Sequence, residues 1–265
     1  MNSVKLEKMR SAEPCYGTWL SSGSPVVTEL AAQCGLDWLL LDMEHGCLPE
    51  AELLANLRAT DRSEATIVVR VPTHEAGLIG RVLDWGADAI MVPHVESAGE
   101  ASEVVRAMRY PPEGTRGYSR SVRAYGYGLR APETRAEPLL FAQIESAKGV
   151  ANVHEIAGVA GVHVLFVGPA DLKLSLSTEA SAPGYAEALE SVVKAAQAHQ
   201  VHAGILVRDR NDTETFLKQG FTRIAMDSDI AILRAGFLSC KPQPQPDRRA
   251  DGSISHPCAS TASAP

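Results

Sequence analysis

Two carboxylates next to apolar stretches are the first sign of chemistry in this chain. Glu145 ends the stretch LLFAQIE, and Asp171 follows the stretch VLFVGPA. A buried carboxylate without a partner is costly, so Glu145 needs a cation, either a metal ion or a side chain such as Arg70. Two carboxylates, water and a chelating substrate suit Mg²⁺ or Mn²⁺. The alternative is that Glu145 pairs with an arginine and Asp171 caps a turn or a helix.

A histidine and an arginine add acid–base and oxyanion chemistry. His45 lies in LLLDMEHG, where Asp42 and Glu44 are close enough in sequence to orient it or raise its pKa. A histidine suits proton transfer near neutral pH, although a loop histidine can instead bind only backbone. Arg70 ends VVR, and its planar fork of donors suits a carboxylate or an oxyanion. A structural ion pair is the alternative for Arg70.

The elements that must position these residues alternate along the chain. Short apolar runs, several apolar at consecutive positions, are typical of strands covered on both faces of a parallel sheet. We predict strands over Tyr16–Leu20, Trp38–Asp42, Ile67–Val71, Ala89–Val92, Leu140–Glu145, Val162–Gly168, Ala203–Val207 and Arg223–Met226. Between and after them we predict helices over Pro25–Cys34, Pro49–Thr60, His74–Trp85, Ala98–Met108, Lys148–Ala157, Tyr185–His199, Arg208–Gln219 and Ile230–Ser239.

Eight strands, each followed by a helix, predict an α/β fold of the (β/α)8 TIM-barrel type. An open doubly wound sheet is the alternative, but no glycine-rich phosphate-binding motif follows the first strand. Active sites of such barrels lie at the carboxyl ends of the strands. The residues at or just after these ends are Trp19, Asp42, Glu44, His45, Arg70, Pro93, His94, Gln143, Glu145, Asp171, Asp227 and Asp229.

Composition narrows the class of protein. The 265 residues include 25 Lys and Arg against 32 Asp and Glu, a net charge of −7, which argues against nucleic acid or an anionic membrane as the main partner. No apolar run is long enough to span a membrane, and the N-terminal residues lack the apolar core of a signal peptide. The five scattered cysteines predict reduced thiols. We therefore expect a cytoplasmic, enzyme-sized protein that binds small molecules.

Two segments fall outside the alternation. Residues 109–137 form a long loop rich in Arg, Tyr, Gly and Pro, and loops of this length are usually functional. Its arginines are expected to receive an anionic small molecule or to form a subunit contact. The last 25 residues are rich in Pro, Ser and Ala. We therefore expect one barrel domain over residues 1–240 and a flexible tail over residues 241–265.

Taken together, several stretches resemble the HpcH/HpaI family of class II, metal-dependent pyruvate aldolases, which includes 4-hydroxy-2-oxoheptanedioate aldolase. The resemblance runs from about residue 15 to residue 239. It is carried by GTWLSSGSPVVTELAAQCGLDWLLLDMEHG, VVRVP, RYPPEGTRG, FAQIES and GPADL. It implies reversible cleavage of 4-hydroxy-2-oxo acids to pyruvate and an aldehyde through a metal-stabilised pyruvate enolate. It also implies oxaloacetate decarboxylation as a side activity and a homohexamer, a trimer of dimers.

The resemblance also implies roles for individual residues. Glu145 and Asp171 would bind Mg²⁺, Mn²⁺ or Co²⁺. His45 would be the acid–base group, paired with Asp84 of a neighbouring subunit, Arg70 would stabilise the enolate oxygen, and Asp42 would support both. The residues expected to bind substrate are Trp19, Gln143, Gly168, Pro169, Ala170, Tyr118, Arg123 and Leu206. A Schiff-base lysine is not required, and Lys148 and Lys173 are expected in loops.

Departures from the family pattern bear on the aldehyde half of the substrate. Tyr118, Arg120 and Lys173 stand where relatives usually have small or neutral residues, and Asp227 replaces a common glycine. A CoA-ester lyase of the citramalyl or malyl type, on the related citrate lyase β-subunit barrel, is the alternative enzyme. The third hypothesis is a non-catalytic binding or assembly subunit, and it is disfavoured because His45 and the other candidate catalytic residues are present.

Overall fold

Eight parallel strands close into a barrel, as the sequence predicts. The computed structural model describes residues 2–131 and 136–241. Each strand pairs with the next along the chain, and β8 pairs with β1. The strands are β1 (Cys15–Leu20), β2 (Trp38–Asp42), β3 (Thr66–Arg70), β4 (Ala89–Val92), β5 (Leu139–Ile144), β6 (Val164–Val167), β7 (His202–Val207) and β8 (Arg223–Ser228). The (β/α)8 fold is confirmed, and every predicted strand end lies within two residues of the observed one.

Helices follow the strands along the chain, and residues of α2 to α5 and α7 to α10 pack against the outward faces of the barrel strands. The helices are α1 (Asn2–Arg10), α2 (Pro25–Ala32), α3 (Glu50–Ala59), α4 (Ala76–Asp84), α5 (Ala98–Met108), α6 (Ala147–Ala151), α7 (Val153–Ala157), α8 (Pro169–Thr178), α9 (Tyr185–Ala198), α10 (Thr213–Gln219) and α11 (Asp229–Ser239). Local signals set several ends. The Ser97 hydroxyl accepts a hydrogen bond from the Glu100 N–H and caps α5, and Gly220, at φ +106°, ends α10.

The alternation of side chains along each strand divides the core in two. Inward residues fill the barrel, among them Trp38, Phe141 and Phe166, whose rings lie within 6.3 Å of one another. Outward residues pack under the helices in a larger apolar cluster. Because side chains or helices cover both faces of the barrel wall, strands such as β2 are apolar at consecutive positions, which explains the run WLLL.

Two helices were not predicted from the sequence. Helix α1 closes the amino-terminal end of the barrel, where Leu6 and Met9 join the inward cluster. Helix α8 begins directly after β6, so Asp171 lies in its first turn. The expectation that Lys148 and Lys173 lie in loops is also wrong, because they belong to α6 and α8.

Two predicted helices are interrupted. The predicted Lys148–Ala157 helix is divided at Asn152, which ends α6 and precedes α7. The predicted Arg208–Gln219 helix begins instead as a short 3-10 turn, Arg210–Asp212, before α10. At the second interruption the Asp209 carboxylate accepts the Asn211 N–H at 2.9 Å and caps the 3-10 turn, whereas Asn152 Nδ2 donates to the Glu96 carbonyl oxygen at 2.7 Å.

The chain up to Ile230 forms one compact unit, and a second begins at Ala231. The predicted tail falls almost entirely on residues 242–265, which lie outside the described residues, so the predicted boundary at residue 240 stays a prediction. The long loop contains a 3-10 segment, Arg123–Gly128. Within the described ranges, no helix combines the length and the apolar character needed to cross a membrane.

Candidate active site

A cavity of about 560 Å³ opens at the carboxyl ends of the strands. It brings together ten of the residues singled out from the sequence, contributed by β1, β2, β3, β5, β6, β7 and the segments that follow them. These residues are Trp19, Asp42, His45, Arg70, Gln143, Gly168, Pro169, Ala170, Asp171 and Leu206. Glu145 lies beside the cavity in contact with Gln143. The cavity is therefore the candidate active site.

Arg70 is held at the cavity by two carboxylates. Its Nε and Nη2 atoms donate to the two oxygens of Asp42 at 2.9 and 2.7 Å, and its Nη1 lies 2.7 Å from Glu44 Oε2. The guanidinium also lies over the Trp19 ring, 5.0 Å from the centroid. The hydrogen bonds to Asp42 use two of the five N–H donors of an arginine, and the contact with Glu44 is an ion pair in which Oε2 accepts no hydrogen bond within the described residues. Arg70 also lines the cavity, so its other N–H donors are available to a substrate oxygen there.

Asp42 stays ionised although only 1% of its surface is exposed. Burial by itself raises the pKa of this carboxyl group, but the hydrogen bonds and charge of Arg70 outweigh burial. The backbone N–H groups of Glu44 and His45 donate to Asp42 Oδ1 at 3.1 and 3.3 Å, and the net effect is a lowered pKa. Asp42 thus fixes both Arg70 and the backbone that carries His45.

His45 has an exposed side chain at the cavity. Its side chain is 65% exposed, and its Nε2 lies 3.9 Å from Glu44 Oε1. Because Glu44 also pairs with Arg70, one carboxylate connects the two groups. The exposed imidazole is accessible to a substrate in the cavity.

Glu145 is a buried carboxylate with no lysine or arginine partner among the described residues. It is 3% exposed, accepts the His94 N–H at 2.8 Å on Oε1, and accepts Gln143 Nε2 at 2.5 Å on Oε2. His94 Nδ1 is the nearest basic atom, at 3.4 Å. Burial raises the pKa of Glu145, the hydrogen bond from His94 opposes that rise, and the charges of Glu44 and Asp171 add to it. The alternative of an ion pair between Glu145 and Arg70 is wrong, since Arg70 pairs with Asp42 and Glu44.

Helix α8 places its amino-terminal end at the cavity. Gly168 precedes the helix, Pro169 occupies its first turn, and Asp171 is the acidic residue of that turn. A Cβ atom on Gly168 would lie 2.4 Å from Glu145 Oε2 and 2.8 Å from Gln143 Nε2. Only glycine permits this close approach. The free N–H groups of a first helical turn, aided by the helix dipole, favour a bound carboxylate.

The donor set fits a divalent cation that keeps water or substrate ligands. Glu145 and Asp171 supply oxygen atoms, and the buried Oε1 of Gln143 has no hydrogen-bond partner in the described structure. No cluster of three or more His, Cys, Asp or Glu side chains suited to a metal occurs in the described ranges. A site with two carboxylates therefore has to complete its coordination with oxygens from water or a ligand, as Mg²⁺ sites often do.

Three residues predicted to take part lie elsewhere in the single chain. Asp84, at the end of α4, accepts Arg116 Nη2 at 2.5 Å. Tyr118 packs its exposed ring against Tyr110, at a centroid distance of 5.4 Å. Arg123 donates to the carbonyl oxygen of Trp85 at 2.6 Å and pairs with Asp61. None of the three predicted residues lines the cavity.

Several lining residues were not predicted to bind substrate. They are Ser21, Phe166, Val167, Lys173, Tyr185, Val207, Arg208, Asp209, Asp212, Phe216 and Ser228. Arg208 directly follows β7, so the rule that active-site residues lie at the carboxyl ends of the strands would have identified it. Lys173 and Tyr185 belong to α8 and α9, and no spacing in the sequence indicates that they meet at the cavity.

Comparisons with known proteins agree with this architecture. The family model described as HpcH/HpaI aldolase/citrate lyase matches residues 15–235. A hydroxypyruvate/pyruvate aldolase from Paraburkholderia phytofirmans is 39% identical over 240 residues, covering 86% of this chain and 92% of that protein. A 5-keto-4-deoxy-D-glucarate aldolase from Salmonella arizonae is 39% identical over 226 residues, covering 83% of this chain and 88% of that protein.

A solved structure of an HpcH/HpaI aldolase/citrate lyase family protein has a similar fold. The crystal structure of an HpcH/HpaI aldolase/citrate lyase family protein from Burkholderia cenocepacia superposes with a TM-score of 0.83. It is 36% identical and covers 90% of this chain and 98% of its own. The chain belongs to the HpcH/HpaI aldolase/citrate lyase family.

Proposed function

We propose that this protein is a class II aldolase that reversibly cleaves 4-hydroxy-2-oxo acids to pyruvate and an aldehyde. The observation that carries the proposal is the buried Glu145 carboxylate. It has no lysine or arginine partner among the described residues, and it lies beside a cavity lined by Asp171 and Arg70. Membership of the aldolase family supports the reaction class, a carbon–carbon lyase.

Glu145 and Asp171 would hold Mg²⁺, Mn²⁺ or Co²⁺, with Gln143 beside them. The ion would supply positive charge to the carboxylate and keto oxygens of pyruvate and to the negative charge that develops at the keto oxygen. The N–H groups of the first turn of α8 would bind the carboxylate of the oxo acid. This arrangement assigns the pyruvate half of the substrate to the β5 and β6 side of the cavity.

Arg70 and His45 carry the chemistry supplied by side chains. In the cleavage direction His45 accepts the proton of the C4 hydroxyl, and the C3–C4 bond breaks. The bonding electron pair moves into the C2–C3 bond of an enolate whose charge rests on the C2 oxygen. The N–H donors of Arg70 that Asp42 does not bind stabilise that oxygen, and a proton returned to C3 gives pyruvate. The aldehyde leaves past Trp19 and Leu206, which line the cavity.

Oxaloacetate decarboxylation follows from the same site as a proposed side activity. Loss of CO₂ from oxaloacetate leaves its electron pair in the same C2–C3 enolate, which is then protonated at C3. The groups that stabilise the enolate in aldol cleavage would stabilise it here as well. The reaction requires no additional residue.

A homohexamer, a trimer of dimers, is proposed as the assembly. In the single chain Asp84 binds Arg116 and does not line the cavity, so a pairing of Asp84 with His45 would require a second subunit. Light scattering of the purified protein measures this directly. A monomer at working concentration would contradict both the hexamer and the pairing of Asp84 with His45.

Exchange of the pyruvate methyl protons with D₂O, followed by NMR, tests the function without knowledge of the aldehyde. We expect exchange with Mg²⁺, Mn²⁺ or Co²⁺, and we expect EDTA to abolish it. Glu145→Gln is expected to lose exchange, while Glu190→Gln, which changes an exposed residue paired with Lys194, retains it. No exchange by the wild-type protein with any of the three metals would contradict the aldolase and favour a CoA-ester lyase.

Thermal unfolding supplies a readout that does not depend on turnover. A ligand at 100 times its Kd stabilises the folded state by about 2.7 kcal/mol, which raises Tm by roughly 5 °C or more in a chain of this size. We expect Mn²⁺ to raise the Tm of the wild type and of Glu190→Gln. An equal rise in Glu145→Gln would place the metal elsewhere.

A further inference from the structure

Lys173 lies on the wall of the cavity in an unusual position for a lysine. It belongs to α8, two residues after Asp171, and its Nζ lies 4.7 Å from the centroid of the Tyr185 ring. Both residues line the cavity. A cation over an aromatic face is attracted by the ring but keeps its N–H donors available.

The ring beneath Lys173 is held in place by its own helix. Tyr185 is the first residue of α9, and the Gly184 N–H just before it donates to Glu187 Oε2 at 3.0 Å, which fixes the start of that helix. Half-burial raises the pKa of the Tyr185 hydroxyl, so the ring remains neutral at physiological pH. Tyr185 thus positions the lysine without neutralising it.

The other cations that line the cavity already have carboxylate partners. Arg70 pairs with Asp42 and Glu44, and Arg208 Nη1 lies 3.5 Å from Asp227 Oδ1. In the part of the chain that the structure describes, Lys173 has no ion pair with an Asp or a Glu. Its charge is therefore available to a ligand.

Two acidic residues limit where an anion fits. Asp209 and Asp212 line the β7 side of the same cavity, and the Asp209 carboxylate accepts the Asn211 N–H at 2.9 Å. They would repel an anionic group on that side. An anion in the cavity is consequently disfavoured beside Asp209 and Asp212 and favoured beside Lys173.

Building on the proposed function, we propose that Lys173 is a specificity-determining residue that selects acceptor aldehydes carrying an anionic group. The pyruvate unit occupies the inner part of the cavity near Glu145, Asp171 and Arg70. The distal end of the aldehyde then extends outward, where the ammonium group on the Tyr185 ring binds a carboxylate or a phosphate. The residue acts on the choice of acceptor and leaves enolate formation to the inner groups.

Matched aldehydes test the proposal. The ratio of kcat/KM for 4-oxobutanoate to that for butanal compares a carboxylate with a neutral chain of the same length. The ratio of kcat/KM for glycolaldehyde phosphate to that for glycolaldehyde compares a phosphate with a neutral hydroxyl group. The two ratios together show whether a carboxylate or a phosphate is recognised. We expect the wild type to prefer one anionic member of these pairs. In Lys173→Met that preference falls about fivefold to tenfold, equivalent to about 1 to 1.4 kcal/mol.

Further variants separate the charge from general effects. Lys173→Glu is expected to reverse the preference. Tyr185→Phe keeps the ring and the preference, whereas Tyr185→Leu removes the ring and weakens the preference. Lys194→Met removes an equal charge from an exposed position of α9 and is expected to keep the wild-type ratio. The preference should also fall in high salt, because the Lys173 side chain is exposed to solvent.

The outcomes distinguish this inference from the proposed function. Wild-type protein that exchanges pyruvate protons but shows the same aldehyde ratio as Lys173→Met would overturn the role of Lys173 and leave the aldolase standing. Wild-type protein that fails to exchange pyruvate protons with any metal would overturn the proposed function itself. A changed ratio in Lys173→Met with an unchanged ratio in Lys194→Met supports the inference.

Discussion

Arg70 and Asp42 form a two-point ion pair across adjacent strands, with Nε–Oδ1 and Nη2–Oδ2 distances of 2.9 and 2.7 Å. The two residues stand opposite each other in the register of β2 and β3. The last residues of two neighbouring strands thereby hold the planar guanidinium in one orientation. This orientation leaves the remaining donors of Arg70 for the substrate.

Replacing the guanidinium group of Arg70 should therefore lower the activity more than it lowers the free energy of unfolding. In Arg70→Lys the charge remains, but a single ammonium group cannot donate in parallel to both oxygens of Asp42. We expect pyruvate proton exchange to fall about 100-fold or more, as for the loss of an oxyanion donor. Arg81→Lys, on the exposed side of α4, is the matched control and should keep wild-type exchange. Pyruvate proton exchange by Arg70→Lys within a factor of two of wild type would exclude a role for the planar guanidinium group in enolate formation.

Asp42→Ala should lower the free energy of unfolding as well as the activity. It leaves the buried Arg70 with Glu44 as its remaining charged partner and removes the acceptor for the Trp19 Nε1–H, which lies 3.2 Å from Asp42 Oδ2. Breaking a buried ion pair costs about 3 kcal/mol. Urea unfolding measures this loss. A loss below about 1 kcal/mol would show that Glu44 compensates for Asp42.

Gly168→Ala should disable the site without unfolding the barrel. The added Cβ would collide with Glu145 Oε2 and Gln143 Nε2, and both side chains are buried. We expect the metal-induced rise in Tm and proton exchange to be lost, with far-UV circular dichroism unchanged. Gly99→Ala, in α5, places a Cβ no closer than 3.8 Å to its nearest neighbour and serves as the control. Normal metal binding by Gly168→Ala would contradict the close packing of β5 against the start of α8.

Stability should fall in mild acid because of two half-buried histidines, His163 and His202. Burial lowers the pKa of His163 from 6.5 to about 4, aided by the charge of Arg10, and burial with the charge of Arg223 does the same for His202. The unfolded chain takes up protons below pH 6.5 while the folded chain does not until about pH 4. The free energy of unfolding is therefore complete above pH 6.5 and declines between pH 6.5 and pH 4.

Urea unfolding between pH 4.5 and pH 8 measures this decline. One fully protected histidine contributes about 3 kcal/mol at most. In His163→Gln the slope of stability against pH should become shallower, whereas His154→Gln, at an exposed position, should leave the slope as in the wild type. An identical slope in His163→Gln would show that His163 titrates normally.

Arg223 should anchor α1 to the barrel. The side chain is fully buried and donates to the Met9 carbonyl oxygen from Nε at 3.2 Å and from Nη2 at 2.9 Å, and to the Glu13 carbonyl oxygen at 3.0 Å. Arg223→Met would leave these acceptors unsatisfied, at a cost of about 3 kcal/mol. We expect the hydrogen-exchange protection of α1 to collapse first. Arg62→Met, at an exposed site, should change neither stability nor protection.

Much of the fold was predictable because it depends on local patterns. Consecutive apolar residues in WLLL and IVV predict strands buried on both faces, and eight repeats of strand and helix leave a closed barrel as the simplest arrangement. The strand-end rule then collected Trp19, His45 and Asp171 into one cavity, as observed. These inferences needed only the period of each element and the geometry common to parallel barrels.

The rest depended on contacts between segments distant in sequence. The mainly polar sequence of α1 does not predict that Leu6 and Met9 close the barrel, because the apolar surface they cover comes from strands elsewhere in the chain. Arg123 was predicted at the substrate, but the Trp85 carbonyl oxygen and Asp61 lie within its reach and bind it instead.

The same division holds within the active site. Local patterns were enough to identify the residues at the carboxyl ends of the strands, because backbone periodicity and side-chain alternation are local properties. The pairing of Arg70 with Asp42 rather than Glu145, and the contact of Lys173 with the Tyr185 ring, follow from the closed barrel. Partner choice depends on interatomic distances and on the cost of burying charge, and both are defined only once the barrel has closed.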